Sequence, residues 1–173
     1  KHTKKIDYFQ SLPKTYTGTL VLGKTTPSID LETDFNEEFP VDHIDTSLIQ
    51  HTIATKLSGD IKQVPPIYSA IKLDGKRLYT HARQGVQEEE LNIKIRDASI
   101  YRFDINTANF PEIDFEIECS KGTYIRSIVR DLGELLQSGA YLKKLVRTKI
   151  GEYDVKNAQS VESFNKEIYA SLS

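Results

Sequence analysis

With 173 residues, 38% of them hydrophobic and 28% charged, the chain has the size and composition of one ordinary soluble domain that buries a core without staples. A net charge of −2 and a pI of about 6.1 exclude a general nucleic-acid sponge. No apolar run approaches membrane-spanning length, no signal-peptide pattern opens the chain, and a single cysteine, Cys119, excludes an intrachain disulfide and a multi-cysteine metal site.

KTYTGTLVLG (14–23) is rich in Thr, Val, Leu and Tyr and predicts a strand. TTPSIDLETDFNEEFP (25–40) is an acidic connection with room for a short extended piece. Ile49, Ile53 and Leu57 recur every fourth residue, which predicts a helix from Asp45 or Thr46 to Leu57, with Gly59 as its stop signal. Within 63–85, Pro65-Pro66 forbids a helix at the diproline itself and stiffens the chain before Tyr68. IYSAIKL and KRLY flank Asp74-Gly75, a strong hairpin signal, and THARQG reads as a short helical turn ended by Gly85. EEEL (88–91) reads as an exposed loop. NIKIRDASIYRFDI (92–105) and EIDFEIEC (112–119) predict two longer strands, the second alternating Ile113, Phe115, Ile117 and Cys119, which makes the cysteine a buried small hydrophobe. A helix over about Thr123–Gln137 follows. GAYLKKLVRTKIGEYDV (139–155) mixes a turn, a basic amphipathic piece and a final strand, and Ser160 caps a short terminal helix with Glu162 in its first turn. The pattern is α+β: a mainly antiparallel, mixed sheet with flanking helices.

Charge is unevenly spread. Residues 24–60 hold eight acids against Lys24 and Lys56, whereas 119–151 hold seven Lys/Arg against Asp131 and Glu134, and 62–85 hold five against Asp74. Local asymmetry of this kind focuses an electrostatic field more than net charge does. Three stretches carry candidate chemistry. Tyr68 follows the rigid diproline and suits stacking on a nucleobase, though Tyr68 and Tyr79 equally read as core aromatics. In CSKGTYIRSIVRDLGELL (119–136) a strand-to-helix turn bears Lys121, Tyr124 and Arg126, a setting for a phosphate or for a carboxylate of the protein itself. Lys143, Lys144, Arg147 and Lys149 form either a backbone-contact stripe or the solvated face of an edge strand. His2, His43, His51 and His81 lack metal-ligand spacing, and carboxylates are the remaining nucleophile class.

GDIKQVPPIYSAIKLDGKRLYTHARQG (59–85), CSKGTYIRSIVRDLGELL (119–136) and SGAYLKKLVRTKIG (138–151) together resemble the TruB family, the bacterial tRNA pseudouridine-55 synthases, over about Tyr16 to Tyr153. The resemblance implies a pseudouridine-synthase-like fold and a tRNA T-arm stem-loop as partner. It implies a flipped uridine whose glycosidic bond is cleaved, whose base turns, and whose C5 rejoins the sugar, with no cofactor or metal. On matching positions Tyr68 is the aromatic that stacks on the flipped base and Arg126 the partner of the catalytic aspartate. Tyr124 and Leu145 are pocket walls. Lys121 lies in the same motif, and its phosphate role is read from charge.

Two departures shape the expectation. The family's aspartate belongs to a G-x-L-D-P-x-A-x-G stretch that these residues lack, and Lys1 would lie just after it. The chain also contains no methionine, which reads as a fragment, a processed chain or a numbering that begins inside a longer protein. The expected organisation is therefore one domain over 1–173, the C-terminal part of the catalytic domain, without an added C-terminal RNA-binding domain. Alone it is expected to be inactive, with Arg126 unpaired or held by a substitute acid or anion. Of the family's T-D-T-x-D-x-x-G run, TPSIDLE keeps only Asp30 and has Pro27 at the earlier acid, which leaves Asp30 without an assigned role. The remaining expectations are a monomer and a reducing, cytoplasmic setting. The alternative is a non-catalytic tRNA-binding or tRNA-chaperone module.

Overall fold

The structure, a computed structural model, describes residues 2–73, 75–86 and 91–171. A 3-10 turn (His2–Lys5) leads into α1 (Ile6–Ser11) and β1 (Lys14–Leu22), then β2 (Lys24–Thr25), β3 (Glu37–Glu38) and α2 (Thr46–Lys56). Next come β4 (Gly59–Gln63), the hairpin β5 (Lys72–Leu73) and β6 (Lys76–Arg77), and α3 (Leu78–Arg83). β7 (Arg96–Asn109), β8 (Glu112–Cys119), α4 (Ile125–Leu135), β9 (Ala140–Ile150), β10 (Tyr153–Asp154) and α5 (Val161–Ser171) complete the chain.

Six strands form one sheet in the order β10-β9-β1-β8-β7-β4, every neighbouring pair antiparallel. The α+β expectation holds. The expected mixed character reduces, among the described residues, to one isolated parallel bridge between Asp30 and Leu142. The alternation in β8 works as read: Ile113, Phe115, Ile117 and Cys119 are buried and meet Ile128, Val129 and Leu132 of α4 in the core. Each fully buried Leu or Ile contributes about 1.5–3 kcal/mol. Cys119 is a core residue; burial pushes its thiol up from the ordinary value. Gly133 lets α4 lie close to β9, since a Cβ there would sit 2.7 Å from the Ala140 amide nitrogen.

Several boundaries differ from the sequence reading. Asp45 caps α2 through its carboxylate and the Leu48 amide (2.7 Å), and Ser160 caps α5 through the Ser163 amide (3.1 Å), as expected. The helix placed at Thr123–Gln137 is two residues shorter at each end, because Tyr124 and Leu136 are its caps. The basic piece at 140–150 is one strand, β9, paired along β1. Leu78 and Tyr79, read as strand, begin α3. Residues 92–95 stay outside β7. β4 and α1 were not legible: GDIKQ offers only Ile61 as an apolar residue, and it is a strand because it lies along β7. α1 is too short to show a period; the Lys14 ammonium donates to the Gln10 (2.5 Å) and Leu12 (2.7 Å) carbonyls at its end. Asp74 of the hairpin signal and residues 88–90 of the acidic loop lie outside the described residues. Among the described residues, no helix is long and apolar enough to cross a membrane.

Candidate functional site

The turn from β8 into α4 depends on Gly122, which adopts φ +79°, a conformation that a side chain disfavours. Tyr124 then takes the N-cap position, but its own side chain makes no capping bond. Buried Gln63 clamps it instead. The Tyr124 amide donates to Gln63 Oε1 (3.1 Å), and Gln63 Nε2 donates to the Tyr124 carbonyl (3.3 Å).

α4 holds the diproline segment by further side-chain bonds. Pro65 and Pro66 are buried and have no N–H, so this segment offers chiefly carbonyls. Ser127 Oγ (2.8 Å) and Arg130 Nη2 (3.0 Å) both donate to the Val64 carbonyl. Arg126 Nη2 donates to the Tyr68 carbonyl (2.7 Å). The two long motifs of the sequence are thus one built unit, and Tyr68 is fixed beside Tyr124 and Arg126.

Arg126 also reaches a third segment. Its Nη1 donates to the Ser28 carbonyl (3.0 Å) and to Asp30 Oδ2 (3.0 Å), and both side chains of this ion pair are mostly shielded. The acid is delivered by a tight turn. Thr26 Oγ1 donates to the Asp30 carbonyl (2.6 Å), and Leu142 of β9 donates its amide to the Ile29 carbonyl (2.8 Å). Ile29 is held at φ +63°, a costly conformation for a β-branched residue that persists only where its surroundings enforce it. Arg126 has therefore found a substitute acid, and Asp30, left without a role by the sequence, is that acid.

Tyr68, Tyr79, Arg83, Tyr124 and Arg126 line one cleft of about 460 Å3. The Arg83 guanidinium lies over the Tyr79 ring at 5.4 Å. Two of the basic segments thus meet here, 62–85 through Tyr79 and Arg83 and 119–151 through Tyr124 and Arg126. A shallow groove on which Arg126 also opens is lined by Asp30, Leu142, Lys143 and Leu145, so Leu145 shares Arg126 with the tyrosines. The structure does not bring Lys121 to this cleft; it lines a separate groove with Lys14, Arg96 and Arg147. Gln63, Ser127 and Arg130 were missed. The available signal was the i, i+4 spacing of Arg126 and Arg130, which puts both on one helix face. Among the described residues, no group of three or more His, Cys, Asp or Glu could hold a metal ion.

An aromatic-walled cleft beside a carboxylate-paired arginine can stack a planar base and hold a negative charge next to it. Residues 1–125 match the family model described as TruB family pseudouridylate synthase, N-terminal domain. The chain is 51% identical over 168 residues to tRNA pseudouridine synthase B of Flavobacterium johnsoniae, covering 97% of this chain and 72% of that protein. It is 46% identical over 162 residues to tRNA pseudouridine synthase B of Bacteroides fragilis, covering 94% and 67%. Among solved structures it resembles a chain of a Cbf5-Nop10-Gar1 complex, with a TM-score of 0.64 at 20% identity over 96% of this chain and 39% of that one. An H/ACA RNP bound to a substrate RNA containing 2′-deoxyuridine gives 0.61 at 17% identity, over 96% and 38%. At those identities the likeness is one of fold. The family match and the named relatives place the chain in the pseudouridylate synthase class. Within it, the chain belongs to the TruB family.

Proposed function

We propose that this chain forms the uridine-binding part of a tRNA pseudouridine synthase that isomerises the T-loop uridine at tRNA position 55, a cytoplasmic monomer without metal or cofactor. The observation that carries the reading is the Arg126 guanidinium, which ties Asp30, Ser28 and the backbone of Tyr68 together at the floor of a tyrosine-lined cleft. The non-catalytic alternative is not favoured, because relatives 41–51% identical to the chain are named as synthases.

In this reading the uridine is flipped out of the T-loop and stacks on Tyr68, with Tyr124 and Leu145 closing the sides of its site. The glycosidic C–N bond breaks, the uracil turns, and a C–C bond forms between C5 and the sugar as the C5 proton leaves. Arg126 grips a carboxylate in a mostly shielded ion pair through its charge and its planar fork. The family chemistry starts on an aspartate of a G-x-L-D-P-x-A-x-G stretch, which these 173 residues lack. The chain by itself is accordingly expected to bind a T-loop hairpin and not to turn it over.

The test is a pair of substitutions read by hairpin affinity. Tyr68→Phe keeps the ring and keeps binding. Tyr68→Leu removes it and weakens binding by about 1–3 kcal/mol, the worth of one stacked base. Equal affinity for Leu and wild type overturns the stacking role. Robust pseudouridine formation by the chain alone would move the nucleophile to an acid present here, with Asp30 at Arg126 the first to replace.

A further inference from the structure

The turn between β8 and α4 takes part in two sites. Tyr124 and Arg126 belong to the tyrosine cleft, whereas Lys121 and Gly122 line a larger groove of about 810 Å3. The groove is also lined by Gln10 of α1, Lys14 at the start of β1, Arg96 at the start of β7 and Arg147 of β9. Four cations from four parts of the chain therefore converge at one end of the sheet.

These cations differ from three others on the same sheet. Arg102 pairs with Asp104 and Glu116, Lys143 with Glu112 at 2.5 Å, and Lys149 with Asp154 at 3.6 Å. Arg96, Lys121 and Arg147 form no ion pair among the described residues, although Asp7 and Asp97 also line the groove. Lys14 contributes a fixed charge beneath them, since its side chain is buried and its ammonium is tied to two carbonyls. Burial first, then the positive charges of Arg147 and Lys121, push that ammonium below its ordinary value.

We propose that this groove is a phosphodiester-binding subsite that holds the RNA backbone next to the nucleotide seated in the tyrosine cleft; the proposal rests on the RNA-binding reading above. Guanidinium and ammonium donors recognise phosphate through charge and hydrogen bonds and carry no sequence information, which suits a positioning site. Gly122 and Tyr124 are two residues apart, so at most about 7 Å of chain separates the two sites. One RNA strand can therefore engage both. The acidic net charge of the protein is compatible with this, because the groove concentrates positive potential locally.

The test measures affinity of the full chain for a T-loop hairpin between about 50 and 200 mM salt. Arg96→Gln and Lys121→Gln should each weaken binding and make the dependence of log K on log salt shallower by about 0.7–0.9 per contact removed. Lys121→Arg should restore wild-type behaviour, and Arg102→Gln, outside the groove, should change nothing. Thermal unfolding of each variant separates loss of fold from loss of contact. Unchanged affinity and slope in the two groove variants, or an equal loss in Arg102→Gln, overturns the proposal, as does absence of RNA binding by the wild type at the low-salt end. If Tyr68→Leu weakens binding while the groove variants do not, the groove fails and the functional reading stands. If the groove variants weaken binding while Tyr68→Leu does not, the groove stands and the uridine cleft fails.

Discussion

Arg126 and Arg130 lie one turn apart on α4, and each donates to a carbonyl of the diproline segment, Tyr68 in one case and Val64 in the other. Each also pairs with an aspartate, at 3.0 Å for Arg126–Asp30 and 2.9 Å for Arg130–Asp131. The partners differ in origin. Asp131 is the next residue in the chain, whereas Asp30 is 96 residues away and arrives through a turn bonded to β9. Arg126 faces a cleft with three tyrosines, while the Arg130 pair lies beside Glu134, which is 3.8 Å from it across one helical turn. The local pair stays within α4, where it only orients Arg130. A long-range pair fixes the relative position of three segments, which is what a site requires.

The strongest way to break this comparison is at Arg126. Arg126→Lys keeps the charge and loses the planar fork that serves Ser28, Asp30 and Tyr68 together. In the catalytically competent protein it should lower turnover about 100-fold, the scale set by a small misplacement of reacting groups, with little change in hairpin affinity. The equivalent Arg130→Lys should leave turnover near wild type. Similar losses in both would show that the arginines act alike, as struts.

Stability sharpens the contrast at a smaller scale. A double-mutant cycle on Arg126 and Asp30, read by chemical unfolding, should return a coupling of about 1–2 kcal/mol, within the range for partly shielded contacting pairs. The cycle on Arg130 and Asp131 should return less, because Arg130 has a second acid, Glu134 at 3.8 Å, when Asp131 is removed. A larger coupling for the local pair would reverse the ranking.

Much of this site was legible before the structure, and the reason lies in locality. Tyr68, Tyr124 and Arg126 stand in runs where a diproline, a glycine turn and a helical period fix short-range geometry. β8 was readable to the residue because one of its faces is buried and alternation records that. β4, by contrast, is a strand only through its partner β7, and nothing in GDIKQ encodes the partner. Asp30 was singled out by the resemblance but left in doubt, because its pairing with Arg126 depends on Ile29 at φ +63° and on the amide of Leu142, both set by tertiary contacts. Lys121 shows how little sequence distance says about which groove a side chain lines. It is five residues from Arg126 in sequence, yet the turn at Gly122 sends the two side chains to different grooves.

The smallest expected effect concerns Asp131, and its sign separates the two aspartates. Burial is the larger influence on this carboxyl and pushes it above the ordinary value of 3.8, against the charge and hydrogen bond of Arg130, which lower it. The folded protein therefore binds this proton more readily than the unfolded chain does. Between 3.8 and the raised value the native state holds more protons, so this group's contribution to stability grows as pH falls through that window and is lost as pH rises. At neutral pH the ionised carboxylate is a small burden. Asp131→Asn removes the titration and keeps an acceptor for Arg130, so it should raise the melting temperature slightly at pH 7. The advantage should shrink as the pH approaches 3.8. Asp30→Asn, which deprives Arg126 of its anionic partner, should lower stability at pH 7 instead. Melting curves of both variants across the acid range read the difference. A fall in stability for Asp131→Asn at pH 7 equal to that for Asp30→Asn would mean the two pairs are energetically alike, and that the position of Arg126 beside the cleft, not the quality of its ion pair, is what distinguishes it.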